Sequence, residues 1–192
     1  MGVNENFVLA VFGALFIFSI FMISQTKITG YATTGTTISN VSIAKYLSIT
    51  MSPNLTAGIQ FGTINILPAV DHNATGNNLS AGNSVYSLNV SADSNTPVDF
   101  CLMANVALTD SSNENTIGLG NETYANASTT SAAVPDVTLQ ALFTTGYVVG
   151  GANVAPGDVT FYRFYLDVPV AQPSGTYNNS IGFKGVQTEQ SC

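Results

Sequence analysis

Beyond residue 36, apolar side chains recur at every second position, and no stretch follows the 3.6-residue spacing of a helix. Tyr86, Leu88 and Val90 alternate with Ser87, Asn89 and Ser91. Val98, Phe100, Leu102, Ala104, Val106 and Leu108 form the longest such set. Tyr162, Phe164, Leu166 and Val168 alternate with Arg163, Tyr165 and Asp167, and Tyr177, Asn179, Ile181 and Phe183 form the last set. Val41, Ile43, Leu47, Ile49 and Met51 keep the same rhythm across Lys45, while the apolar runs 59–67 and 137–143 are less regular. Ser52-Pro53-Asn54, Ala81-Gly82-Asn83, Asn95-Thr96-Pro97, Pro156-Gly157-Asp158 and Pro173-Ser174-Gly175 punctuate the runs as turns. Strands with one apolar face must bury it against a second sheet. The pattern therefore predicts an all-β fold, a single immunoglobulin-like or jelly-roll β-sandwich of about seven to nine strands. Phe100, Leu102, Phe164, Leu166, Ile181 and Phe183 belong to its predicted core, whereas Asp99, Cys101 and Asp167 fall on the outward phase. Residues 109–135, rich in Asn, Ser, Thr and Ala, read as a long exposed loop.

The N-terminus follows a different rule. Residues 7–26 carry no charge over twenty positions, about the length that crosses a bilayer as a helix. The sequence thus predicts an N-terminal hydrophobic helix ahead of the sandwich. Gly30-Tyr31-Ala32 places small residues where a signal peptidase cuts, so cleavage is expected at Ala32. That divides the chain into a signal or anchor segment, 1–32, and a β-sandwich domain, 33–192. Two alternatives stay open. Glu5 and the lack of a basic residue before the apolar run favour a retained membrane helix. A class III signal leading a type IV pilin helix is the other, although Gly2 has no basic neighbour.

Charged residues make up 8% of the chain, where roughly 25% is usual in soluble domains. The net charge is −7, and the only basic residues, Lys27, Lys45, Arg163 and Lys184, are scattered. A nucleic-acid binder needs a basic stripe to displace counterions from phosphates, so that class is excluded. Electrostatic docking on anionic lipid fails on the same ground. Asn, Ser, Thr and Gly keep the surface wet instead, which suits an exported protein that carries glycans. Eight N-x-S/T sequons occur. The expected glycosylation sites are Asn40, Asn54, Asn73, Asn78, Asn121, Asn126 and Asn178, with Asn73, Asn78, Asn121 and Asn126 in apparent loops; Asn89, the eighth, sits mid-strand. The two cysteines, Cys101 and Cys192, lack the spacing of a zinc or redox motif, and in an oxidising compartment they are expected to form one disulfide at the outer face or an edge.

Nothing in the sequence points to catalysis, a cofactor or a metal. His72 is the only histidine and lies in a loop-like stretch, and no nucleophile-elbow motif accompanies it. Asp110, Asn113 and Glu114 offer oxygen ligands, but their spacing is not that of an EF-hand, and they read as a solvated acidic loop. Tyr124, Tyr147, Tyr162, Tyr165 and Tyr177 could stack on sugars, yet the chain contains no Trp, which usually leads such sites.

Three stretches carry a family resemblance. Asn153-Val154-Ala155-Pro156-Gly157-Asp158 is a turn that opens a strand. Phe161-Tyr162-Arg163-Phe164-Tyr165-Leu166-Asp167-Val168-Pro169 is that strand and its end. Gln172-Pro173-Ser174-Gly175-Thr176-Tyr177 opens the last strand. Together they resemble the close of many secreted immunoglobulin-like or jelly-roll surface domains. The order of parts, an apolar leader, an early strand and one sandwich, resembles the TasA/camelysin type of fibre proteins and the archaeal bundling-pilus subunits. The resemblance implies an extracellular or cell-surface filament subunit that binds copies of itself by donating an N-terminal strand. Residues 33–37 would be the flexible lead-in, and Val41, Ile43, Leu47, Ile49 and Met51 the side chains of the donated strand. A membrane-anchored surface glycoprotein that does not polymerise is the competing expectation. The membrane is then a partner through residues 7–26.

Overall fold

The computed structural model describes residues 5–24, 37–77, 84–129 and 135–192. The cleavage candidate Ala32, the sequon at Asn78, the turn Ala81-Gly82-Asn83 and most of the lead-in 33–37 lie outside the described residues. The chain divides into two units, Met1–Ser42 and Ile43–Cys192.

In the first unit, helix α1 runs Glu5–Ser24. Its side chains are described over residues 9–19, all of them exposed, a stretch by itself too short to cross a membrane.

The second unit is a β protein. Its strands in chain order are β1 (Ile49–Met51), β2 (Ala69–Asn73), β3 (Tyr86–Val90), β4 (Val98–Ala104), β5 (Leu108–Asp110), β6 (Thr116–Ile117), β7 (Glu122–Thr129), β8 (Ala141–Leu142), β9 (Val148–Val154), β10 (Val159–Val168), β11 (Tyr177–Asn178) and β12 (Ile181–Gln187). They form three antiparallel sheets: a six-stranded one in the order β1-β3-β10-β7-β8 with β2 also on β10, and two of three strands, β12-β4-β9 and β11-β5-β6. The twelve described strands exceed the expected seven to nine because five of them are only two or three residues long. The alternation from Val98 to Leu108 breaks at residues 105–107, which send β4 and β5 into different sheets. The turn at Pro53 is wound into a one-turn helix, α2 (Pro53–Ala57), whose N-cap Ser52 accepts from the Leu55 amide.

The six-stranded sheet and the β12-β4-β9 sheet face each other. Tyr86, Leu88, Val90, Tyr124, Tyr162 and Phe164 from the first meet Val98, Phe100, Leu102, Ala104 and Val154 from the second. The Tyr162 and Phe183 rings lie 6.3 Å apart across the layer, and Tyr86 meets Phe164 edge-on at 5.3 Å. Each such side chain contributes about 1.5–3 kcal/mol on burial. Of the expected core, Phe100, Leu102, Phe164 and Leu166 are buried, whereas Ile181 and Phe183 are only half-buried because β12 is an edge strand. Leu108, Ile117, Leu166 and Val168 form a second, smaller core beneath the third sheet.

β7 overturns the long-loop reading of 109–135. It pairs with β10 in continuous register from Val159↔Thr129 to Leu166↔Glu122. The sequence hid it because only Tyr124 on this strand carries a large buried ring. Asn126 donates its amide to Gly150 O, and the Ser128 and Thr160 hydroxyls meet at 2.6 Å. Polar groups satisfied by one another replace the apolar alternation that marks a strand.

Candidate functional site

The expected donor strand is split in two. Only Ile49–Met51 is a strand, and it pairs with β3 of its own domain: Ile49↔Val90, Thr50↔Asn89 and Met51↔Leu88. Upstream of it, Asn95 N–H donates to Tyr46 O at 3.0 Å, its side-chain amide donates to Ala44 O at 3.0 Å, and Tyr46 N–H donates back to Asn95 Oδ1 at 2.7 Å. Leu47 and Ile49 pack on the core. Three of the five named side chains, Leu47, Ile49 and Met51, therefore sit on the stretch that is docked in cis. This corrects the reading of a strand free over 38–51. Gly185, across from Ile49, explains the docking: without a Cβ, it leaves room for the isoleucine.

Before Ala44 the chain is different. Residues 37–43 have no regular secondary structure, and Ile38, Val41 and Ile43 are 85%, 85% and 79% exposed. Three branched apolar side chains stand in solvent along a short uncharged stretch, an arrangement that soluble surfaces usually cover. The β12-β4-β9 sheet supplies the complementary feature. β12 and β9 are its edge strands, and along β12 the inward-facing Ile181 and Phe183 are half covered. An edge strand presents a row of backbone donors and acceptors to any added strand.

The C-terminus is fastened over the outer face of β4. Cys101 and Cys192 form a disulfide, 91 positions apart. Cys101 lies on the outer phase as the alternation predicts, yet it is fully buried, since the tail lies over it. Asp99 is buried for the same reason, against the expectation of an exposed outward carboxylate. Its Oδ1 accepts from Asn153 N–H at 2.7 Å and from the Thr188 hydroxyl at 3.0 Å. Lys184 adds a cation–π contact, 4.5 Å above the Tyr147 ring, and a bond to Cys192 O.

Among the described sequons, Asn40, Asn54, Asn89, Asn126 and Asn178 are exposed. Asn73 is in β2, with Oδ1 accepting from the Asn77 amide at 3.2 Å. Asn121 and Asn126 are not in a loop: Asn121 closes a 3-10 turn and Asn126 is inside β7. The hydroxyls that complete these two sequons are engaged as well, Thr123 with Gln140 and Ser128 with Thr160.

The acidic loop is closed on itself. Asp110 accepts from the Ser112 hydroxyl, the Glu114 and Asn115 amides and the Asn115 side chain. Led by the Asn115 side-chain bond, these donors hold its carboxyl at about 2. A carboxylate saturated by its own loop has little capacity left for a cation. Among the described residues no group of three metal-ligating side chains occurs. Nearby, burial raises the Glu122 carboxyl above its ordinary value, opposed by the Asn179 amide, which donates at 2.7 Å. His72 bonds Phe61 O at 3.0 Å through its ring. Of the five tyrosines considered for sugar stacking, Tyr124, Tyr162 and Tyr165 are core residues with no face to offer a ligand.

Comparison with protein-family models, with curated proteins and with solved structures finds no match.

Proposed function

We propose that the protein is an extracellular, cell-surface structural subunit that assembles into a filament, with residues 37–43 of one copy adding as a strand to the β12 edge of the next. The observation that carries this reading is the exposure of Ile38, Val41 and Ile43 just ahead of a stretch docked in cis. Val41 and Ile43 share one phase of an extended chain, so both would insert beside Ile181 and Phe183 while the backbone extends the ladder. Burying two such side chains contributes about 3–6 kcal/mol before ordering costs. The disulfide is compatible with an oxidising exterior, and the resemblance to TasA/camelysin-type and archaeal bundling-pilus subunits points the same way.

The test is negative-stain microscopy and sedimentation of wild-type protein against Val41→Asp/Ile43→Asp. Polymers from wild type, and soluble folded monomers from the variant, are expected. Polymers that persist in the variant, or a wild-type chain that stays monomeric, overturn the proposal.

One observation favours a second reading. α1 is continuous over Glu5–Ser24, which at 1.5 Å per residue is about 30 Å, the thickness of a hydrocarbon core. A retained helix of that length makes the protein a membrane-anchored surface glycoprotein or a type IV pilin-like subunit. An intact N-terminus in protein extracted from membranes would decide for it.

A further inference from the structure

Three side chains from three different elements converge on the outer face of the six-stranded sheet. Thr123 of β7 lies opposite Tyr165 of β10 on one side and Leu142 of β8 on the other. Its side chain is 9% exposed. The hydroxyl donates to Oε1 of Gln140, 17 positions further along and immediately before β8. The other end of the same carboxamide, Nε2, donates to Oδ1 of Asp71 at 2.6 Å. Asp71 is held in turn: its N–H donates to Asp167 Oδ1 at 2.7 Å, and its backbone sits at φ 50°. A surface glutamine ordinarily samples many rotamers. Here its oxygen is held by a hydroxyl and its nitrogen by a carboxylate.

We propose that this is an autocatalytic crosslinking site, at which Thr123 and Gln140 form an intramolecular ester. The geometry supplies what such a step needs. The Thr123 hydroxyl meets the carboxamide at Oε1, the oxygen bonded to Cδ. Fixed proximity of this kind accelerates a reaction that is slow between free partners. The Oγ–Cδ bond forms and the Cδ–Nε2 bond breaks. The hydroxyl proton ends on the nitrogen, which leaves as ammonia. Nothing is oxidised or reduced, and no co-reactant is consumed. Asp71, whose carboxylate accepts from the leaving nitrogen, is the group placed to relay to it the proton that the hydroxyl gives up. Thr123 itself is buried, so its hydroxyl is turned to the carboxamide rather than to solvent.

The consequence is structural. The segment 135–140 lies over the outer face of β10, where the Arg163 guanidinium donates to Pro135 O at 3.2 Å, and both Arg163 and Tyr165 are buried beneath it. An ester from Thr123 to Gln140 fastens the end of that strap to β7 covalently. The inference stands apart from the filament reading, since a crosslinked monomer is equally well formed.

The experiment is peptide mapping of the reduced full-length chain, produced in a host without N-glycosylation and cut at Asp136, which lies between the two residues. The expected product is one linked pair of peptides, lighter than their sum by one ammonia and separated by hydroxylamine, which cleaves esters and spares amides. Thr123→Ser should retain the link, and Thr123→Val and Gln140→Leu should lose it. Asp71→Asn should slow its appearance after refolding. Separate peptides at their full sequence masses in the wild type overturn the proposal, whatever the variants do. So does a link that resists hydroxylamine.

Discussion

Ile49 of β1 rests directly on Gly185 of β12, so close that a Cβ placed on the glycine would lie 2.8 Å from Ile49 Cγ2 and 3.0 Å from Val98 Cγ1. The contact joins an edge of the six-stranded sheet to an edge of the opposite one. It requires a residue without a side chain at 185. Gly185→Val should therefore destabilise the domain by about 1–3 kcal/mol, the usual cost of overpacking a filled core. Gly146→Ala is the control, because a Cβ there meets nothing within 4 Å. Urea unfolding monitored by tyrosine fluorescence reads both, and equal midpoints would contradict the packing.

The two halves of the leading stretch should respond differently to the same charge. Ile49→Asp puts a carboxylate into the core and should cost about 3–5 kcal/mol. Ile43→Asp, at an exposed position, should change stability by less than about 0.5 kcal/mol. Thermal unfolding of the two variants separates docking in cis from exposure. A large loss in Ile43→Asp would mean that residue 43 is packed in the monomer.

Breaking the disulfide should release the tail. The bond closes a loop of 91 positions, worth about 4–5 kcal/mol in the chain-entropy account. Cys192→Ser should lower stability by up to that amount and speed hydrogen exchange at the amides of 188–192 and of Asn153, which donates to Asp99 beneath the tail. Thiol labelling of native, unreduced wild type should find no free thiol.

Two carboxylates should give opposite pH signatures. Burial raises Glu122 above 4.5 in the folded chain, so the unfolded state ionises first and stability falls as pH rises from 4.5 through the folded value. Glu122→Gln, which keeps an acceptor for Asn179, should raise the melting temperature at neutral pH and leave it unchanged in acid. Asp110 is held at about 2, below its ordinary 3.8. Its contribution is full above 3.8 and is lost as pH falls towards 2. Asp110→Asn should therefore lower the melting temperature at neutral pH and converge with wild type in strong acid.

In a host that glycosylates sequons, occupancy should follow how each sequon is held in the folded chain. Asn40, Asn54, Asn126 and Asn178 are all exposed, but the Asn126 amide is tied to Gly150 O from within β7 and its sequon serine bonds Thr160. Glycopeptide mapping should find Asn40, Asn54 and Asn178 modified and Asn126 bare. A fully occupied Asn126 would show that the sugar is added before β7 joins its sheet.

Where alternation was strong, the sequence could be read directly. Tyr86, Leu88 and Val90 form β3, and Tyr162, Phe164, Leu166 and Val168 mark the inner face of β10, both in phase. Where a strand carries polar residues that are exposed and bonded across to its neighbours, the signal vanishes, and β7 with Asn126 and Ser128 shows no apolar alternation. Asp99 was given its correct face but the wrong environment, because no local pattern reveals that a tail 89 positions later covers it with Thr188. The Thr123–Gln140–Asp71 cluster left no trace either. Its members are separated by 17 and 69 positions and occur in no motif.

By itself the sequence determined the class of fold, the apolar helix ahead of it and the pairing of the only two cysteines, because these follow from a local period, an uncharged run and a count. The tertiary structure decided which face of β4 is covered, which half of the leading stretch is docked and which polar side chains meet across strands. Those outcomes depend on distant segments competing for the same surface. Ile49 is held because position 185 lacks a side chain, while Ile43, six residues earlier and equally apolar, has no such recess and stays in solvent.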